Sequence, residues 1–197
     1  MLFISLEIHF IFAHFYIPKY NSQLKYLKSE PVNKMDEIII RKARREDCKA
    51  IRTLIQELAN YEEMPDGPAI DYKTLEKDGF GERPLFLCNV ATHKDEIIGY
   101  TVTFYTYSTW RGKAMFMDDL YVKPEFRGKQ VGRRLLKANA KVYDAVENNC
   151  FRLDFMVLNW NSAQNFYKKL NASDITLEEN WHTYRFSGEN LKKLASE

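Results

Sequence analysis

The chain has 197 residues, 45% of them apolar, which is enough for one domain with a substantial core. This composition excludes a chain that is disordered as a whole and a disulfide-stapled mini-protein. Lys and Arg total 29 against 27 Asp and Glu, a formal charge of +2 without a polybasic block, which argues against nucleic acid as the main partner. The three cysteines and four histidines have neither disulfide-framework nor metal-site spacing. We therefore expect no metal and a reducing, cytoplasmic location.

Residues 2–17 form the most apolar stretch of the chain. The stretch is shorter than the roughly 20 residues that cross a bilayer, and Glu7, His9 and His14 interrupt it. It also lacks the basic leading segment and cleavage site of a secretory signal. We interpret residues 1–34 as an extension that is disordered or outside the globular domain, with no stable membrane span, and assign one domain to residues 35–197. A weak interfacial anchor and a genuine structural element are the alternatives.

The first half of this domain predicts two helices and four strands. Residues 36–43 have a strand pattern, and apolar residues at helical spacing predict a helix that begins at Asp47 and ends near Asn60. Breakers follow, after which Asp71 can cap a short helix that ends at residues 78–79. Strand patterns at residues 85–92, 97–107 and 114–122, joined by short turns, indicate an antiparallel meander.

The second half alternates helices and strands. A long amphipathic helix follows the meander, and its apolar face consists of Val131, Leu135, Ala138, Val142, Ala145 and Val146. Residues 151–158 then predict a strand, residues 162–170 a helix and residues 181–186 a last strand. This order indicates an α/β fold in which a single mixed sheet carries helices on both faces.

The junction between the last meander strand and the long helix is a candidate anion site. Its turn contains Gly128 and Gly132, which allow close backbone approach, and the basic residues Arg127, Lys129 and Arg133. First-turn N–H groups lack intrahelical partners and lie at the positive end of the helix dipole, so such a turn can hold a pyrophosphate. An ordinary solvated turn is the alternative, because the segment matches neither the Walker loop nor the dinucleotide fingerprint.

Two further features carry functional groups. Asp118 and Asp119 are adjacent carboxylates in an apolar strand, where alternation sends them to opposite faces unless a bulge breaks the pattern. A buried carboxylate is costly unless it is paired, hydrogen-bonded or part of a functional site. One of the two aspartates is therefore predicted to form a salt bridge or a helix cap, or to act as a base or a cation receptor. On the helix at 162–170, Phe166 and Leu170 are spaced as core residues, whereas Tyr167 points elsewhere with a phenol able to donate.

Together these features resemble the GNAT superfamily of acetyl-CoA-dependent N-acetyltransferases. Within it the chain is similar to the diamine acetyltransferase group, which holds the spermidine/spermine and thialysine enzymes. The resemblance extends over about residues 37–195 and is carried by residues 58–62, 78–81, 107–112, 118–122, 127–132, 157–161, 166–167 and 179–181. It implies a twisted mixed sheet that splays in a V after its fourth strand, with acetyl-CoA in the opening, and a homodimer.

The resemblance also implies roles for individual residues. Asp118 falls where the family has a carboxylate that receives the proton of the amine, and Tyr167 where it has the tyrosine that protonates the departing thiolate. Expected cofactor contacts are Leu120, Tyr121, Val122, Arg127, Gly128, Lys129, Gln130, Val131, Gly132, Arg133, Asn161 and Lys169. Expected acceptor contacts are Tyr61, Glu62, Asp118, Asp154, Phe155, Met156 and Glu179.

Several positions depart from the family pattern. Gln130 replaces a usual glycine, Asp118 is one methylene shorter than the usual glutamate, and the segment from Trp160 to Tyr167 is one residue short. Ser108 stands where polyamine-preferring members carry an aspartate, which favours the thialysine branch. We therefore expect acetyl transfer from acetyl-CoA to a primary amine of a diamine, polyamine or thialysine. The alternatives are acetylation of a protein lysine and a non-catalytic acyl-CoA-binding module.

Overall fold

The computed structural model describes residues 38–142 and 149–196. Its sheet has five strands in chain order. They are β1 (Ile38–Lys42), β2 (Leu87–His93), β3 (Glu96–Ser108), β4 (Gly112–Val122) and β5 (Leu153–Phe155). The first four pair antiparallel, and β5 pairs parallel to β4. The antiparallel meander and the mixed sheet predicted from the sequence are confirmed.

Helices cover both faces of this sheet, as predicted. The helices α1 (Cys48–Tyr61) and α2 (Tyr72–Phe80) pack on one face, and α3 (Val131–Val142) packs on the other. Val90 and Ala91 are neighbours on β2, yet Val90 joins the core under α1 and Ala91 the core under α3. This alternation separates the two cores. Asp71 caps α2 by accepting a hydrogen bond from the N–H of Thr74 at 2.8 Å, which confirms its predicted role.

A buried amide fixes α3 on the sheet. The side chain of Asn139 is almost fully enclosed, and its Oδ1 accepts hydrogen bonds from Asn89 Nδ2 at 2.8 Å and Thr101 Oγ1 at 2.9 Å. These partners lie on β2 and β3, so one residue ties the helix to two strands. Because a polar atom buried without a partner costs about 1–3 kcal/mol, the three side chains depend on one another. The sequence analysis did not identify this network.

A bulge interrupts β4 at the acidic pair. Val102 of β3 pairs with Asp119, whereas the next residue, Thr103, pairs with Met117, so that Asp118 is the extra residue. An extra residue reverses the alternation of side chains and backbone groups along the rest of the strand. The exception allowed in the sequence analysis is therefore the case that the structure adopts.

The sheet opens next to this bulge. β5 pairs only with residues Met115 to Met117, while β4 continues to Val122. Residues 118–122 of β4 have no β5 partner within the described ranges, so the two strands part and leave a cleft, as the expected V requires. β5 is consequently three residues long, shorter than the strand predicted at 151–158.

The C-terminal region differs from the prediction. The strand predicted at 181–186 is wrong, because that segment has no strand partner within the described ranges and a strand persists only in a ladder. Its aromatic residues Trp181, Tyr184 and Phe186 are 63%, 88% and 62% exposed. Two short helices, which the sequence analysis did not predict, flank it: α5 (Ile175–Glu179) and α6 (Gly188–Ser196). Between β5 and α5 lies the predicted helix, α4 (Ala163–Lys168).

Some predictions fall outside the described residues. They are the extension at residues 1–34 and the apolar helix positions Ala145 and Val146. Within the described ranges, every helix is too short or too polar to traverse a bilayer.

Candidate active site

A cavity of about 620 Å³ occupies the cleft between β4 and α4. Residues 120–122 of β4 form one wall, residues 127–133 close one end, and residues 161–170 with the end of α1 form the opposite wall. Of the residues expected to contact the cofactor, all except Lys129 line this cavity. The ammonium group of Lys129 instead lies 5.0 Å from the centroid of the Phe126 ring. That the lining residues bind a cofactor stays a prediction.

Backbone groups of β4 point into the cleft. The N–H of Lys123 donates to the carbonyl of Ile98 at 2.9 Å, and hydrogen-bonded pairs alternate along an antiparallel ladder, so Tyr121 also bonds toward β3. The N–H and C=O groups of Leu120 and Val122 therefore point away from β3. This orientation depends on the bulge, because Met115 N, before the bulge, bonds to the carbonyl of Arg152 beside β5.

The turn before α3 presents free N–H groups at the end of the cavity. Gly128 and Gln130 both have positive φ, 75° and 63°, and the N–H of Arg134 bonds to the carbonyl of Gln130. The N–H groups of the first helical residues therefore lack intrahelical partners, and residues 131–133 all line the cavity. The helix dipole makes this end favourable for an anion. Gln130 is a non-glycine residue in a conformation that glycine adopts without strain.

Arg127 adds positive charge at this end of the cavity. Its Nε donates to the carbonyl of Val122 at 2.9 Å, and its guanidinium carbon lies 5.2 Å and 5.6 Å from the ring centroids of Tyr61 and Tyr121. Tyr61 in turn donates to Asn161 Oδ1 at 3.4 Å, so this tyrosine bridges α1 and the loop before α4. Tyr61, expected to contact the acceptor, lies in the wall of the cavity, and its acceptor role stays a prediction.

Tyr167 lies on α4 with its ring held by aromatic neighbours. The ring centroid is 4.4 Å from that of Phe155 and 5.0 Å from that of Phe166. Burial raises the pKa of Tyr167 to about 12, so the phenol is protonated at neutral pH and available as a donor to the cavity. Phe155, expected to contact the acceptor, therefore positions the predicted acid.

The bulge determines on which face of β4 the side chain of Asp119 lies. Met117 accepts a hydrogen bond from Asn139 of α3, and Leu120 packs into the core under α3, so both lie on that face although they are three residues apart. Asp119 lies on the opposite face, where its Oδ2 accepts a hydrogen bond from the Tyr100 hydroxyl at 2.9 Å. Asp118, the predicted base, is exposed, and Asp119 is the more buried of the two.

Three carboxylates, none of which lines the cavity, influence one another around Asp119, the residue before Leu120. Burial raises the pKa of Asp119 to about 6; the Tyr100 hydrogen bond opposes this rise, and the charges of Asp118 and Glu62 add to it. Burial also raises the pKa of Glu62. The cavity thus has a basic end at residues 127–133, and a group of carboxylates lies next to Leu120, outside the residues that line the cavity. This polarity suits one anionic and one cationic substrate.

Of the seven expected acceptor contacts, only Tyr61 lines the cavity; the other six are Glu62, Asp118, Asp154, Phe155, Met156 and Glu179. Asp154 accepts a hydrogen bond from Arg152 Nε at 2.7 Å, Met156 is 61% exposed, and Glu179 on α5 accepts from Trp181 Nε1 at 2.7 Å. They do not line the cavity, and their acceptor roles stay predictions. Conversely, the sequence analysis missed the lining residues Leu58, Ser162, Ala163, Phe166 and Leu170. Phe166 and Leu170 were interpreted as core because helical spacing gives the same signal for a cavity wall.

In the ranges 38–142 and 149–196, no group of three or more His, Cys, Asp or Glu side chains is arranged to hold a metal ion.

A splayed mixed sheet whose cleft ends at the N-terminus of a helix defines the acetyltransferase class of proteins. Residues 84–171 match the family described as Acetyltransferase (GNAT) domain, and the chain belongs to that family. It is therefore an acetyltransferase of GNAT type.

Several relatives of the chain are thialysine or spermidine/spermine acetyltransferases by name. The thialysine N-epsilon-acetyltransferases of Bos taurus and Sus scrofa are 40% and 39% identical over 80% and 82% of this chain and 97% and 99% of their own lengths. The spermidine/spermine N(1)-acetyltransferase-like protein 1 of Homo sapiens is 36% identical over 83% of this chain and 24% of its own length.

Solved structures share the fold. An integron cassette protein from the mobile metagenome of V. cholerae superposes with a TM-score of 0.67 at 28% identity, covering 81% of this chain and 98% of that protein. A possible acetyltransferase from Clostridium difficile superposes with a TM-score of 0.61 at 23% identity, covering 77% of this chain and 97% of that protein, which shows the fold alone.

Proposed function

We propose that the protein transfers an acetyl group from acetyl-CoA to a primary amine of a small cationic acceptor, namely a diamine, a polyamine or thialysine. The observation that carries the proposal is the polarity of the cleft, where a basic helix end and an acidic cluster flank the same stretch of β4. The names of the relatives at about 40% identity support the acceptor class.

The residues of the cleft fit acetyl-CoA, which supplies the activated acetyl thioester when bound. The N–H and C=O groups of Leu120 and Val122 can bond the amides of the pantetheine arm as a neighbouring strand would. Free N–H groups of residues 131–133 and the guanidinium of Arg127 can hold the pyrophosphate. These contacts orient the thioester toward the carboxylates next to Leu120.

The carboxylates Glu62, Asp118 and Asp119 take part in deprotonation of the amine, and Tyr167 protonates the departing sulfur. An alkylamine with a pKa near ~10.4 arrives protonated and must lose a proton before it can attack a thioester. Glu62, Asp118 and Asp119 attract the ammonium group, and the proton leaves through these carboxylates. Tyr167 donates a proton to the departing sulfur, whose conjugate acid has a pKa near ~8.5, so a weak donor suffices.

Turnover of acetyl-CoA over a panel of amines tests this proposal. CoA release would be measured with putrescine, spermidine, thialysine and a lysine-containing peptide at equal concentration. We expect release with at least one small amine and little with the peptide, because the carboxylates select a compact cation. Release with the peptide alone would indicate protein lysine acetylation. CoA binding without release over any amine would indicate a non-catalytic module.

We also propose a cytoplasmic homodimer, as the resemblance implies. The exposed aromatic residues Trp181, Tyr184 and Phe186 support an interface that covers them, since a second copy would remove this apolar surface from water. The free thiols of the buried residues Cys48 and Cys88 fit a reducing compartment. Light scattering of the purified chain gives the mass of the particle, and a monomer at micromolar concentration would contradict the dimer.

A further inference from the structure

A half-buried carboxyl group lies beside the predicted base. Asp119 is held by the hydroxyl of Tyr100, a residue with no exposed surface, through a hydrogen bond of 2.9 Å to Oδ2. We propose that Asp119, and not the exposed Asp118, receives the proton of the acceptor ammonium group, with Tyr100 as the positioning residue for its carboxylate. This inference rests on the proposed function and deepens it.

The position of Asp119 follows from the bulge. Asp119 is not itself a lining residue; it immediately precedes Leu120, the first β4 residue of the cavity wall, and lies on the same face of β4 as Tyr121. Tyr121 lines the cavity and donates to Glu57 of α1 at 3.0 Å, so this face is the one that meets the end of α1 and Glu62. If Asp118 were paired in a regular ladder instead of bulged, alternation would turn Asp119 toward α3.

The hydrogen bond to Tyr100 restricts the carboxylate to one orientation. Tyr100 cannot move aside easily, because its ring is enclosed in the core under α1 and its centroid lies 6.4 Å from that of Tyr121. Oδ2 is bonded to the phenol, and Oδ1 is the oxygen that would receive the proton. Asp118 has no comparable enclosure, since its side chain is exposed to solvent. A fixed acceptor orientation is what proton transfer requires.

The charged and titratable groups around Asp119 favour a proton acceptor. They are Tyr100 of β3, Asp118 of β4, Glu62 after α1 and, on the core side, the thiol of Cys88 on β2. Burial raises the pKa of Asp119 to about 6, so this carboxylate is ionised at neutral pH yet more basic than an ordinary aspartate. A more basic carboxylate lies closer to the amine in pKa and is the better acceptor. Burial raises the pKa of the Cys88 thiol far above neutrality, so that group stays uncharged.

The proton balance is closed by the two assigned residues. The ammonium group gives one proton to Asp119, which becomes a neutral carboxylic acid, and the amine lone pair forms the N–C bond to the acetyl carbon as the C–S bond breaks. The sulfur takes the proton of Tyr167, and the second proton lost from nitrogen restores that phenol. Asp119 then releases its proton to solvent, so one proton is released for each protonated amine acetylated.

Three variants of the full chain separate this role from that of Asp118. We expect Asp119→Asn to lower kcat about 10²-fold while CoA affinity stays within about twofold. We expect Asp118→Asn chiefly to raise KM for the amine, because it removes charge that attracts a cation. In Tyr100→Phe the carboxylate of Asp119 loses a hydrogen bond that stabilises its charged form. The pH below which kcat/KM falls, near pH 6 in the unaltered chain, should therefore rise by about one pH unit.

The measurements are kcat and KM from pH 5 to 9 with the amine that the unaltered chain acetylates best. Titration with CoA and thermal unfolding show that each variant is folded, and Asp119→Glu, which retains a carboxylate, should recover part of kcat. An Asp119→Asn variant with kcat within threefold of the unaltered chain, or an acid limb that does not move in Tyr100→Phe, would overturn the inference while acetyl transfer stands. No turnover by the unaltered chain would overturn both.

Discussion

Replacing Tyr167 by Phe tests the assigned acid with little structural disturbance. The ring of Tyr167 packs against the rings of Phe155 and Phe166, with centroids 4.4 Å and 5.0 Å away, and a phenylalanine ring keeps both contacts. The free energy of unfolding should therefore change by less than about 1 kcal/mol. The variant removes only the donor that faces the cavity.

The expected loss of turnover follows from the chemistry of the donor. General acid catalysis contributes roughly 10² to 10⁴, and a thiolate is a good leaving group, so the low end applies. A 10²-fold fall in kcat corresponds to about 2.7 kcal/mol of transition-state stabilisation. Because burial raises the pKa of Tyr167 to about 12, the phenol stays protonated across the working pH range, and the loss should be independent of pH below about pH 9.

Steady-state CoA release gives kcat and both KM values. Tyr72→Phe is the matched control, because Tyr72 packs beside the core on α2, outside the cavity wall, and loses the same oxygen. We expect KM for acetyl-CoA to change less than threefold in either variant, since Tyr167 acts on the departing sulfur. If Tyr167→Phe keeps the kcat of the unaltered chain, Tyr167 is a packing residue and the assigned mechanism is incorrect.

Two further predictions concern the cofactor turn and acid stability. Gln130→Gly removes the strain of the left-handed backbone conformation, about 1 kcal/mol, but raises the conformational entropy of the unfolded chain by a similar amount, so its Tm should change little. Gln130→Val should lower Tm by several degrees, because a β-branched residue is strained at this positive φ. Equal Tm values for the three chains would contradict backbone strain at this position. For Asp47, burial favours a higher pKa, but hydrogen bonds from Arg41 and the N–H of Arg44 outweigh it and hold the pKa below its usual value. The resulting stability, about 2 kcal/mol, should be present above about pH 4 and be lost as the pH falls through the lowered pKa of the folded state. Urea unfolding of Asp47→Asn and the unaltered chain should therefore differ at pH 7, and the difference should shrink as the pH falls below about 4; a constant difference would contradict it.

Local patterns determined most of the fold. Helical spacing predicted α1, Asp71 marked the start of α2, and period-two segments with short turns predicted the β2–β4 meander. These signals depend on neighbours within a few residues, so a sequence contains them. The basic turn before α3 was predicted in the same way, because a helix start after a strand is a local event and its free N–H groups follow from helix geometry.

The sequence did not determine the features that need long-range pairing. Whether alternation holds at Asp118 depends on how β3 aligns with β4, and only that register shows the bulge that partly buries Asp119. The amide network of Asn139 likewise depends on two strands meeting one helix. Residues 181–186 have a strand composition but no partner strand within the described ranges.

The sequence by itself therefore determined the family resemblance, the order of elements and the residues around the cofactor turn. The tertiary structure decided which carboxylate is the more buried and how the acidic groups of the cleft influence one another. The physical reason is that burial and electrostatic coupling are properties of groups brought together from distant parts of the chain. Adjacent aspartates have the same chemistry in the sequence, and Asp119 differs from Asp118 because the tertiary structure partly buries it and places it beside Tyr100 and Glu62.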